Sequence, residues 1–115
     1  MIISVVPKLP FIDKQKTLDF YLNQLGFTLI SDYGDYFIIK ADAAELHFFS
    51  HPKLIPSQSH FMVYMRIGAE IEVFYQRLLA QNCSILAELE AKPWRQIEFA
   101  LTDPNSTLLT FGQAY

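Results

Sequence analysis

The chain has 115 residues, 51% of them apolar and 15% aromatic, which is enough to pack one domain and too much for a disordered chain. A formal charge of −3 argues against the basic face of a nucleic-acid module, and a single cysteine, Cys83, excludes an intramolecular disulfide framework or a four-thiolate zinc site. No stretch approaches a membrane span, and Lys8 and Pro10 interrupt any leader-like run, so no membrane partner is expected and the chain reads as cytoplasmic.

Residues 2–6 (Ile-Ile-Ser-Val-Val) are rich in β-branched side chains and predict a strand that runs out into an extended Pro-Lys-Leu-Pro segment. Residues 13–25 predict a helix, with Asp13 as N-cap, Leu18, Tyr21, Leu22 and Leu25 on one face, and Gly26 just past the end. Strands follow over 27–30, 36–40 and 45–49, separated by turns at 32–35 and 41–44. The proline- and serine-bearing stretch 51–58, with His51 in solvent, is a linker. After it come a strand over 61–67, a helix over 69–81, and strands over 84–89, 95–101 and 107–111, the last pair joined by an Asp103-Pro104-Asn105 turn.

The order strand, helix, three strands therefore occurs twice. Residues repeat with it: Phe20-Tyr21 answers Phe74-Tyr75, and Phe37-Ile38-Ile39-Lys40 before Asp42 answers Phe99-Ala100-Leu101-Thr102 before Asp103. One such unit covers only one face of a small sheet with its helix. Two can close a curved sheet around a shared cavity, with the helices outside.

Two stretches of this pattern resemble the vicinal-oxygen-chelate superfamily of glyoxalases, bleomycin-resistance proteins and dioxygenases. One runs from Val6-Pro7 through Leu18-Asp19-Phe20-Tyr21 to Leu25-Gly26-Phe27. The other holds Pro93-Trp94, Glu98-Phe99-Ala100-Leu101, Asp103-Pro104 and Phe111. Val6-Pro7 and Pro93-Trp94 point more narrowly to the bleomycin-resistance group. The resemblance implies an α+β fold of two βαβββ repeats, a curved mixed sheet around a cavity. A single domain spans 1–115, with repeat 1 over about 1–50, the linker at 51–58 and repeat 2 over about 59–115.

Fold alone does not choose between a binder and an enzyme on this scaffold. The superfamily's enzymes hold a divalent metal through four strand positions. Matched to this sequence, the first falls on Val6 and the last on Thr110, neither a strong ligand, the second on Glu45 or His47, and the third on or beside His60. The favoured expectation is no metal and no other cofactor. The alternative is a metal-dependent lyase, isomerase or dioxygenase using Glu45 or His47 with His60. Other catalytic signatures are missing: the four glycines form no phosphate loop, no serine lies in a Gly-x-Ser-x-Gly context, and Cys83 ends a helix, where the dipole disfavours a thiolate.

A metal-free cavity of this kind is a groove walled by aromatic rings. In the bleomycin-resistance group it forms at a homodimer interface and sequesters the drug, and the stacking positions correspond to Tyr36, Trp94 and, with Met62 beside it, Tyr64. Such rings suit a planar or cationic heteroaromatic ligand. Asp32 and Asp35 would add negative field at the rim, while Arg66 and Arg95 would oppose it; His47, His60 and Thr110 complete the expected lining. Pro7 matches a hinge for exchange of the N-terminal strand between protomers. A dimeric module with no present ligand is the second alternative.

Overall fold

The computed structural model describes residues 1–115. Prolines shape the chain's first entry into a sheet. Strand β1 covers Lys8–Phe11, not the expected 2–6, while Met1, Ile2, Ile3 and Val5 lie exposed. Its partner is parallel β4 (Ala44–Ser50), with Lys8 opposite His47. In that register residues 2–4 extend past Ala44, where β4 begins, and have no strand to pair with. Pro7 and Phe11 contribute carbonyls, accepting from the His47 and His51 amides at 3.0 and 2.9 Å. A strand at the edge of its sheet tolerates Pro10 because one side of its backbone needs no amide donor.

Asp13 caps helix α1 (Lys14–Leu18) as expected, its carboxylate accepting from the Lys16 amide at 3.0 Å. The helix then widens into a π-helical turn over Asp19–Gln24, where the Leu25 amide reaches the Phe20 carbonyl five residues back. Gly26, at φ +86°, turns the chain into β2 (Thr28–Asp32). Strand β3 (Tyr36–Ala41) completes a four-stranded sheet in the order β1-β4-β3-β2.

The second half repeats this plan: β5 (Met62–Arg66), α2 (Ile71–Ala80), β6 (Ile85–Lys92), β7 (Gln96–Thr102) and β8 (Leu108–Ala114), in the order β5-β8-β7-β6. Strand β6 runs on to Lys92, past its expected end at 89. Each repeat builds its own mixed sheet, and neither closes into a barrel.

Alternation along the central strands sends Phe37, Ile39, Leu46 and Phe48 of one sheet, and Phe99, Leu101, Leu109 and Phe111 of the other, toward the helices. Phe37 stacks on Phe48 with centroids 4.9 Å apart, and Phe99 on Phe111 at 5.1 Å, so the repeats place equivalent rings in equivalent contacts. Tyr21 meets Phe48 edge-on, as Phe74 meets Phe111. The opposite face of each sheet carries no helix.

A buried polar lock joins the halves. Asp103, in the loop between β7 and β8, accepts from the Tyr21 hydroxyl at 2.7 Å and from the Asn105 and Thr107 amides. Asn105 reaches back to the Ile12 amide and the Thr17 hydroxyl. Burial pushes up both the Asp103 carboxyl and the Tyr21 phenol, and the latter therefore stays a donor. No helix is long and apolar enough to cross a membrane.

Candidate functional site

The same alternation that buries the phenylalanines puts chemistry-bearing side chains on the open faces. On the first sheet, Tyr36 of β3 lies beside His47 of β4, the phenol oxygen 2.6 Å from Nδ1. His47 Nε2 is 2.6 Å from Glu45, two residues back on the same face. In the tautomer that satisfies both contacts, Tyr36 donates to Nδ1 and Nε2–H donates to Glu45. The Lys8 ammonium sits 5.6 Å from the centroid of the Tyr36 ring.

On the second sheet the centre is Glu98 of β7, which is 8% exposed. Its Oε2 accepts from the Tyr64 hydroxyl at 2.7 Å and from the Trp94 indole at 2.8 Å. Tyr64 comes from β5, and Trp94 from the turn between β6 and β7, so three segments converge on one carboxylate. Gly112 makes the arrangement possible: a Cβ there would fall 1.9 Å from the Tyr64 hydroxyl. Burial, then the hydrogen bond to Glu98, push the Tyr64 phenol up to about 12, so it remains a donor. The rings themselves stay open, Tyr64 at 45% and Trp94 at 60% exposure.

Register relates the two faces. Lys8 pairs with His47 as Tyr64 pairs with Thr110, and the stacked phenylalanines align Tyr36 with Glu98. The expected site residues thus fall into two groups: Tyr36, Glu45 and His47 on one sheet, and Met62, Tyr64, Trp94 and Thr110 on the other, with no hydrogen bond or ring contact between the groups. Asp32 ends β2, and Asp35 lies in the turn between β2 and β3. Asp32 supplies little free charge there, because Lys14 pairs with it at 2.6 Å and lowers its carboxyl. Arg95 stacks on Tyr115 at 4.9 Å and donates to the Tyr115 carbonyl, keeping its charge in the turn that carries Trp94. Arg66 lies on the Tyr64 face of β5, where its charge acts on the Tyr64 phenol, and it also lines a cleft between the halves.

The metal positions do not fit a divalent ion. Val6 precedes β1, His60 is exposed ahead of β5, and His47 bonds to Glu45 through Nε2 and to Tyr36 through Nδ1. No three His, Cys, Asp or Glu side chains come together anywhere in the chain. Cys83 donates to Gln24 Oε1, and burial raises its thiol. Glu98 and Gly112 were not among the expected site residues. The signal for Glu98 is a single charge inside Ile97-Glu98-Phe99-Ala100-Leu101, on the face opposite Phe99.

This fold, duplicated and with its inward faces open, defines a class of protein. The sequence profile of the Glyoxalase/Bleomycin resistance protein/Dioxygenase superfamily matches residues 7–111, and the chain belongs to that superfamily. Within it, a bleomycin resistance protein of Klebsiella pneumoniae is 29% identical over 96% of this chain and 91% of its own length. The crystal structure of a bleomycin-binding protein complexed with bleomycin superposes with a TM-score of 0.86 at 29% identity, covering 99% of this chain and 100% of that one. A bleomycin resistance determinant encoded on the transposon Tn5 gives 0.88 at 28% identity, covering 98% of each chain.

Proposed function

We propose that this protein binds a bleomycin-like heteroaromatic small molecule and sequesters it without chemical change. The observation that carries this reading is the pair of exposed rings, Trp94 and Tyr64, held by one buried carboxylate on an open sheet face. Pinned rings lose little freedom when a planar ligand stacks on them, which favours binding. Relatives of the same fold, at 28–29% identity, are bleomycin-resistance and bleomycin-binding proteins. The protein acts without a bound metal on this reading, since the residues at the metal positions diverge, and it works in the cytoplasm.

The groove is completed by a second copy of the chain. One chain leaves a face of each sheet uncovered and its apolar residues Met1, Ile2, Ile3 and Val5 in water. A homodimer that sets the first sheet of one protomer against the second sheet of its partner brings Tyr36 and His47 opposite Trp94 and Tyr64. The segment ahead of Pro7 is then free to cross to the partner. Light scattering at micromolar concentration should give twice the chain mass; a monomer mass contradicts the shared groove.

Binding is read from Trp94, the only tryptophan. Bleomycin should quench its emission saturably, and calorimetry on Trp94→Ala should show affinity reduced roughly 5- to 150-fold, the range for losing one stacked ring. Flat emission across bleomycin and a varied heteroaromatic panel contradicts the reading. Stoichiometric divalent metal in protein purified without chelator, with activity lost in His60→Ala, would support the metalloenzyme instead.

A further inference from the structure

We propose that Glu98, Tyr64 and Trp94 form a subsite for an organic cation bearing N–H donors, an alkylammonium or guanidinium group. The inference rests on the groove reading above and specifies one part of the ligand. Buried carboxylates are normally paired with a cation. Glu98 makes no ion pair: every one in the chain involves other acids, and Arg66, on the Tyr64 face of β5, forms none. Both of its hydrogen bonds fall on Oε2, leaving Oε1 without a donor from the chain.

The neighbouring strand adds to this imbalance. Glu90 of β6 pairs directly with Glu98 of β7, which puts two carboxylates side by side on one face. Like charges in that relation disfavour the sheet. Lys92 lies 3.7 Å from Glu90 and offsets that one, while Arg95 is held on Tyr115. An incoming ammonium or guanidinium group would donate to Oε1 next to two exposed aromatic side chains, whose π systems attract cations. The paired position on the first sheet is built differently: Tyr36 stands where Glu98 does, and the chain's own Lys8 ammonium covers its ring.

Three titrations of Trp94 emission at constant ionic strength test the proposal: n-butylammonium chloride, butan-1-ol as its neutral counterpart, and bleomycin. Butylammonium should perturb the emission saturably and bind at least about tenfold more tightly than butanol, the scale of one charge-assisted hydrogen bond. Glu98→Gln keeps an acceptor for Tyr64 and Trp94 but removes the charge, and should abolish that preference. Equal affinity for amine and alcohol, or a preference that survives in a folded Glu98→Gln protein, overturns the subsite. The wild-type ratio decides alone if the variant does not fold. Bleomycin quenching without any butylammonium response leaves the groove reading standing and overturns the cation site; silence from all three ligands overturns both.

Discussion

Repeat 1 and repeat 2 fold the same way and use their polar groups differently. Between β3 and β4 the chain turns with two residues, Asp42 and Ala43, whereas residues 103–107 join β7 to β8. The longer loop carries Asn105 onto α1 and Asp103 onto the π-helical turn that follows it, and leaves a cleft of only about 240 Å³ beside Phe20 and Cys83. The shorter turn does not reach α2 in that way, and about 860 Å³ stays open among Phe27, Ala44, Met65, Val73 and Phe74. On the open faces the contrast continues. Repeat 1 satisfies its polar side chains among themselves, through Tyr36, His47, Glu45 and Lys8. Repeat 2 gathers two aromatic donors on a carboxylate that lacks a cation. A duplicated fold can thus keep its core contacts in both copies, give one turn to joining the halves, and build its two open sheet faces differently.

The largest effect expected from breaking this contrast is at the lock. Asp103→Ala strands the Tyr21 hydroxyl and two buried amides and should destabilise the protein by on the order of 3–5 kcal/mol. The counterpart substitution Asp42→Gly, at an exposed turn residue with φ +52°, should change stability by less than about 0.5 kcal/mol. Urea unfolding of the two variants measures the difference, and similar losses would mean that the turns play equal parts.

A smaller effect is expected at Gly112. In Gly112→Ala the methyl group takes the place of the Tyr64 hydroxyl, and because that hydroxyl ends a movable side chain, the ring should swing away at a cost of about 1–2 kcal/mol. The fold should persist while bleomycin binding weakens. Absorbance of tyrosinate against pH gives a readout of the site itself. The folded-state value of about 12 for Tyr64 lies above that of an unfolded tyrosine, so its contribution to stability is complete below about pH 10 and disappears as pH rises through 12. The titration near 12 should be missing in Tyr64→Phe and move down in Gly112→Ala; an unchanged curve in Gly112→Ala would mean that Tyr64 keeps its bond to Glu98.

Much of the architecture was legible from local signals. Asp13 and Gly26 bracket the first helix as their chemistry requires, and Phe20-Tyr21 with Phe74-Tyr75 marks the duplication. The first strand was misplaced because β-branched composition favoured residues 2–6, whereas pairing is decided by where β4 begins, at Ala44. The π-helical turn has no comparable composition signal. The open faces are half legible: residues 45 and 47 of one strand share a side by alternation, and the Pro-Trp motif marks Trp94. The role of Glu98 is not legible in its own stretch, because it depends on Tyr64, 34 positions away. The Asp103 turn was read as a turn, but its grip on Tyr21 spans 82 positions and emerges only when the repeats pack.

Sequestration holds the ligand and releases it unchanged. Protein mixed with excess bleomycin, passed through gel filtration and then denatured, allows the released compound to be weighed by mass spectrometry. The proposed dimer with two shared grooves predicts one bleomycin per chain, with its mass intact after prolonged incubation. Recovery of a modified or cleaved compound, or of none at all, would contradict sequestration.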